Sequence, residues 1–245
     1  RLANPTVDAL EKKSAALEGG AAGIGCASGM SALLLTAMTL CEAGDNIVTA
    51  GEIYGGTFNL FSTTLPKFGI KARFFDVDAP AEEIDALIDE KTKFVFAETI
   101  ANPAVAILDF DKVAAICKKH GVLFIVDNTL ASPALCRPLS LGADIVIHST
   151  SKYLDGHAAA LGGMIVDGGK FPYRGNPRYP AFNTPDESYH GLVYADLPVA
   201  FATKCRAQMM RDTGAIMSPQ NAFLTLLGSD TLALRMERHS RNAEK

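Results

Sequence analysis

No two cysteines in this chain have the CxxC spacing, and the five present (Cys26, Cys41, Cys117, Cys136 and Cys205) are an odd number. That argues against a zinc ribbon and against a closed disulfide framework. Four of the five stand in apolar helix or strand surroundings, the pattern of reduced thiols in a cytoplasmic protein. No apolar run approaches the roughly 18 residues of a membrane span. The opening residues, RLANPTVDALEKK, carry no apolar signal core, so a cytoplasmic location is expected. There is no basic cluster and the net charge is −4. Nucleic acid and anionic membrane are therefore not expected partners. Repeats and low-complexity segments are also missing. His148, His157 and His190 have no metal-ligand spacing to another His, Cys or carboxylate, so no metal is expected. His120 ends a helix and His239 lies on a helix face. His148, His157 and His190 fall near the candidate site in sequence.

What is present is an alternation of apolar strands and amphipathic helices. The 245 residues are 48% hydrophobic and 20% charged, enough for one large domain with a deep core. Helices are predicted over 7–17, 29–42, 57–68, 81–88 and 109–120. Strands are predicted over 46–50, 71–77, 93–97, 122–127, 143–148 and 161–166, with 21–27 a small-residue strand or turn. Near-continuous apolar strands separated by helices predict an α/β fold: three layers, a mostly parallel sheet with helices on both faces. Residues 168–198 break the pattern, being rich in Pro, Asn, Gly and Tyr. Such a segment is too long for a mere connector, and long ordered loops often line a site. Helices follow over 200–212, 219–227 and 230–245. The last has no C-terminal Gly or Pro stop, and the chain opens abruptly on Arg1. We expect part of a longer polypeptide, with 1–227 as a large domain and 228–245 leading to a C-terminal domain absent from this chain.

Polar residues collect where the strands end. Lys152 closes HSTSK, directly after the apolar run Ala143 to Ile147. Asp127 closes the run Val122 to Val126. Glu98 to Pro103 follow the strand at 93–97, and Tyr54-Gly55-Gly56 follow the strand at 46–50. In the glycine-rich stretch 19–30 the dinucleotide fingerprint fails, because Ser28 stands where the third glycine belongs. The P-loop fails for want of Gly-Lys-Ser/Thr. What remains is Ser28-Gly29-Met30 opening a helix, whose free amides form an anion site. Each feature alone has a bland reading. The glycines suit close helix–sheet packing, Asp127 a cap or turn, Lys152 a solvated surface, and Tyr54 a core or rim aromatic. Together Gly29, Tyr54, Glu98, Asp127 and Lys152 fall at strand C-terminal ends of one sheet, where open α/β sheets bind ligands. A lysine amine beside hydroxyls that can hold a phosphate, with a carboxylate to pair a pyridinium nitrogen, is what pyridoxal phosphate chemistry needs.

The segments RLANPTVDALEKK, SGM, EIYGGT, ETIANP, DNT, HSTSKYLDGH and SPQNAFL…LRMERH resemble, in order and over nearly the whole chain, the pyridoxal-phosphate-dependent enzymes of cysteine and methionine metabolism, of fold type I. The resemblance implies that Lys152 carries the cofactor as a Schiff base and later moves protons between carbon atoms. It implies that Asp127 pairs with the pyridine nitrogen and that Tyr54 stacks on the ring and aids proton transfer. Gly29, Met30, Ser149 and Ser151 would hold the phosphate. Thr129 would lie beside the ring, with Glu98 and Asn102 shaping its surroundings. Arg1 matches an arginine that reaches the phosphate of a neighbouring subunit, which implies a homodimer sharing its sites and usually a homotetramer. The tyrosine that normally precedes that arginine by two residues, and the C-terminal domain with its carboxylate-binding arginine, lie outside this sequence.

Within the family, the segment FNTPDESYHGLVYADLP and the one after it look most like O-acetylhomoserine sulfhydrylases. Gly56 stands where methionine γ-lyases carry a cysteine. The expected reaction is γ-replacement, joining O-acetyl-L-homoserine and sulfide or a thiol to give homocysteine or methionine and acetate. The alternatives are a methionine or cystathionine γ-lyase, a cystathionine γ-synthase, or, from another class, a non-catalytic phosphate-binding α/β protein. Retention of Lys152 with Asp127 argues against the last.

Overall fold

A computed structural model describes residues 2–245. One seven-stranded sheet runs through the molecule: β1 (Ala22–Cys26), β2 (Asn46–Ala50), β3 (Lys71–Phe75), β4 (Thr92–Glu98), β5 (Leu123–Asp127), β6 (Ile145–Ser149) and β7 (Gly163–Asp167). Their spatial order is β1-β7-β6-β5-β4-β2-β3. All pairings are parallel except those of β7, which runs antiparallel to both β1 and β6. Every residue of β2 and β4 is buried. Successive side chains point to opposite faces, so a strand buried along its whole length is covered on both. The edge strand β3 is the most exposed of the seven. The mostly parallel, doubly covered sheet read from the sequence is the architecture found.

Local sequence sets the helix ends. Asn4 accepts hydrogen bonds from the amides of Thr6 and Val7, Pro5 stands at the first turn, and the helix Pro5–Glu18 stops at Gly19 in the left-handed conformation. Ser28 and Ser31 form a reciprocal capping box that starts the helix Gly29–Leu40. The single helix predicted over 57–68 is a composite: Gly55–Asn59 is α, Leu60–Thr64 is a π segment and Leu65–Phe68 is a 3₁₀ turn. Pro66 is the physical reason. It has no N–H for the ladder and its ring crowds the preceding turn, so regular α geometry yields around it.

The Pro/Tyr-rich segment differs most from expectation. It is not open loop. It carries the short helix Pro180–Asn183 and two 3₁₀ turns, and it buries Tyr173, Tyr179, Phe182 and Tyr194. Tyr173 stacks on Phe182, with ring centroids 4.2 Å apart. The Tyr179 hydroxyl accepts from the Leu123 amide at 3.0 Å and donates to the Lys93 carbonyl at 2.5 Å. The Arg178 guanidinium donates to the carbonyls of Asp89 and Thr92, each at 2.6 Å. These partners lie at the starts of β4 and β5. The segment therefore closes the N-terminal end of the sheet, opposite the candidate site.

Candidate active site

At the C-terminal ends of the strands lies a cleft of about 250 Å³. Its walls include Gly29, Met30, Tyr54, Glu98, Asn102, Asp127, Thr129, Ser149, Ser151 and Lys152. Every candidate residue named from the sequence within the described residues lines this one cleft. Arg1 lies outside the described residues.

β4 and β5 set two carboxylates side by side, because Glu98 and Asp127 are register partners. Glu98 is buried. One of its oxygens accepts from the Tyr54 amide at 2.7 Å and the other from the Asn102 amide at 3.1 Å. It thus ties the loops after β2 and β4 to the end of β4. Burial, reinforced by the neighbouring Asp127 charge, pushes its carboxyl up to about 7 against the pull of those two amides. Asp127 is also raised, again chiefly by burial, opposed by hydrogen bonds from Thr129 and by the nearby His148. The Thr129 amide donates to it at 2.8 Å. No cation pairs with Asp127 among the described residues. A carboxylate in that position is costly until a positive donor meets it.

Thr129 joins the two sides of the cleft. Its amide holds Asp127, and its hydroxyl accepts from the Ser149 amide at 2.8 Å. On the far wall the helix Gly29–Leu40 points its N-terminus into the cleft. A Cβ on Gly29 would stand 2.9 Å from Ser149 Cβ and 3.0 Å from its Cα. Only glycine lets the helix start press against the end of β6, which brings backbone amides and the Ser149 hydroxyl onto one spot. Ser151 is committed to Gly162. It accepts from that residue's amide at 3.0 Å and donates to its carbonyl at 3.2 Å, so it holds the turn after β6 as well as facing the cleft.

Lys152 sits in a tight turn. Its amide donates to the Ser149 carbonyl at 3.4 Å, and its carbonyl accepts from the Gly156 amide at 2.8 Å. The Arg235 guanidinium, from the last helix, braces the next carbonyl, that of Tyr153, at 2.8 Å. Tyr54 stands half-exposed at the rim. A Cβ on Gly56 would lie 2.5 Å from the Tyr54 ring, so glycine there leaves the ring its place.

The donors fit one group. A helix N-terminus and a serine hydroxyl suit a phosphate, the uncompensated carboxylate of Asp127 suits a protonated pyridine nitrogen, Tyr54 offers an aromatic face, and Lys152 offers a primary amine. The protein-family comparison agrees: the Cys/Met metabolism PLP-dependent enzyme family matches over residues 1–245. The chain belongs to that family.

A homocysteine/cysteine synthase from Kluyveromyces lactis is 46% identical over all of this chain and 56% of its own length. An O-acetyl-L-homoserine sulfhydrylase from Leptospira meyeri is 46% identical over all of this chain and 57% of its own length. A crystal structure from Campylobacter jejuni, provisionally assigned as an O-acetylhomoserine (thiol)-lyase, contains N'-pyridoxyl-lysine-5'-monophosphate. It superposes with a TM-score of 0.95 at 46% identity, covering 99% of this chain and 60% of that one. The chain thus spans little more than half the length of the relatives it matches.

Two kinds of residue escaped the sequence reading. Leu33, Ile100, Leu130 and Leu161 form apolar walls of the cleft, and nothing in sequence separates them from core. Thr57 also lines it, with a buried hydroxyl that has no partner among the described residues. Its position in Gly55-Gly56-Thr57, at a helix start, was the available signal. None of the three histidines near the site in sequence lines the cleft. His148 stands in β6 with its Nε2 2.7 Å from Glu18 Oε1, both side chains buried. The same oxygen accepts from Asn128 Nδ2 at 2.8 Å.

Proposed function

We propose that the protein containing this chain is a pyridoxal-phosphate-dependent sulfhydrylase. It exchanges the acetoxy group of O-acetyl-L-homoserine for sulfide or a thiol, giving homocysteine or methionine and acetate. The observation that carries this reading is the gathering of Lys152, Asp127, Tyr54 and the Gly29/Ser149 anion cradle in one cleft. The names of the similar proteins support the substrate.

The bound cofactor supplies an electron sink that acidifies the substrate carbons beside its amino group. The chain's own residues do the rest. The Gly29 and Met30 amides with the Ser149 hydroxyl hold the phosphate, joined by the Ser151 hydroxyl when its proton turns from the Gly162 carbonyl. Asp127 accepts the pyridine N–H and so retains the positive nitrogen, and Thr129 fixes that carboxylate in place. The Lys152 amine anchors the cofactor and then moves protons at the two substrate carbons that must lose them. Tyr54, held by Glu98 through its amide, covers the ring and assists proton transfer to the leaving group. Glu98 and Asn102 set the loop around the ring.

In this reading residues 1–227 form the large domain, and 228–245 lead into a C-terminal domain. Arg1 reaches the phosphate of a neighbouring subunit in a homodimer with shared sites, assembled as a homotetramer in the cytoplasm. Exposed apolar side chains such as Val105, Ile107 and Leu161 support a covering surface at this end.

The test is product analysis on the full-length protein with cofactor. O-acetylhomoserine plus sulfide should give homocysteine, while methionine alone should give little 2-oxobutanoate. Abundant 2-oxobutanoate from methionine would make the enzyme a γ-lyase instead.

A further inference from the structure

The Pro/Tyr-rich segment does not line the cleft, yet it walls a second cavity. This one, about 370 Å³, opens at the other end of the sheet. Its lining is mixed, with Met38, Leu40, Phe182 and Met209 giving the apolar part. Lys204 projects into it from the helix Ala200–Cys205. That lysine is only 6% exposed. Its ammonium donates to Gln208 Oε1 at 2.8 Å and lies 4.8 Å from the centre of the Tyr194 ring and 5.5 Å from that of Phe182. It forms no ion pair among the described residues. Burial lowers its pKa, only partly offset by the more distant Asp186 and Glu42. A lysine is almost never buried without a charged partner.

The remaining charges of the cavity sort into committed and free. Lys93 is taken by Asp45 at 3.5 Å and by the Arg178 carbonyl. Asp186 is taken by the Tyr194 and Ser188 hydroxyls and by Gln208. Glu42 and Glu187, both exposed at the rim, have no ion-pair partner among the described residues. One buried cation and two rim carboxylates thus remain without ion-pair partners among the described residues, beside the apolar side chains of Met38, Leu40 and Met209. The backbone departs from regular helix here too: Gln208 lies in the π segment Arg206–Met210, directly after the helix that carries Lys204. Such segments are frequent at functional sites.

We propose that this cavity binds a free α-amino acid with an apolar side chain. Its carboxylate meets Lys204 and Gln208, its ammonium meets Glu42 and Glu187, and its side chain lies on Met38, Leu40 and Met209. A phosphate or other polyanion fits less well, because the rim carboxylates repel it.

The test is equilibrium dialysis of L-leucine against the full-length, cofactor-loaded protein. Three further probes accompany it: 4-methylpentanoate (no ammonium), 3-methylbutylamine (no carboxylate) and inorganic phosphate. Leucine should bind saturably and leave the cofactor's absorbance unchanged. Each analogue should bind about tenfold more weakly or worse, the worth of one lost charge-assisted contact. Lys204→Met keeps the length and apolar packing of the side chain and should weaken leucine by at least that factor. Glu42→Gln, on the exposed rim where folding is not at stake, should weaken leucine while leaving 4-methylpentanoate unaffected or tighter. Leucine binding that survives in Lys204→Met is binding elsewhere and overturns the proposal. So does preferential binding of phosphate, or no saturable leucine binding at all.

Discussion

Glu98 offers the sharpest physical test of the site. Its carboxyl is raised from 4.5 to about 7, chiefly by burial and then by the Asp127 charge. Between those two pH values the folded chain keeps a proton that the unfolded chain has lost. Unfolding then releases that proton, so stability must fall as pH rises across the window and level off above it. The span corresponds to about 3 kcal/mol. Glu98→Gln removes the titration while keeping a carbonyl oxygen to accept from the Tyr54 amide. Asp127 then ionises more easily, which flattens the curve further. Asp144 and Asp167 are also raised by burial but are present in both proteins, so their contributions cancel in the difference. The assay is urea unfolding of the cofactor-free full-length protein at several pH values. Wild type should lose about 3 kcal/mol more than Glu98→Gln between about pH 4.5 and pH 7. Parallel curves would refute the reasoning, because Glu98 would then be ionised in the folded state throughout.

Asp127→Asn should fold normally yet lower turnover by about a hundredfold or more, the cost of leaving a buried charge unpaired, as read from steady-state kinetics. In Gly29→Ala the new Cβ meets Ser149 at 2.9 Å and pushes the helix start away. Overpacking of about 1–3 kcal/mol should appear as weaker cofactor affinity in a fluorescence titration. Thr129→Val removes the acceptor of the Ser149 amide. An unsatisfied donor costs about 1–3 kcal/mol, visible as a lower midpoint in thermal unfolding together with faster cofactor loss on dialysis.

The fold was legible because the strands are short, apolar and separated by helices with clear ends. Asp109 caps the helix Phe110–His120, and Gly121 ends it. The site was legible for a related reason. A polar residue directly after a fully apolar strand has only one end of the sheet to occupy, so Asp127, Glu98 and Lys152 converge from separate strands. What sequence could not reveal depends on distant partners. Nothing in the runs around Glu18 and His148 signals that they meet. The Pro/Tyr-rich segment read as a long loop of the kind that lines a site, yet it closes the opposite end of the sheet. That choice rests on Arg178 and Tyr179 finding free backbone groups at the starts of β4 and β5. The π segments at Leu60–Thr64 and Arg206–Met210 are likewise invisible to helical periodicity.

The central claim is that Lys152 is the amine that carries the cofactor. Borohydride reduction of the cofactor-loaded full-length protein, followed by digestion and peptide mass mapping, tests it directly. A pyridoxyl phosphate group fixed on the peptide containing Lys152, and absent from Lys152→Ala, is the predicted result. A label on another lysine, such as Lys93 or Lys204, or an undiminished label in Lys152→Ala, would contradict the account.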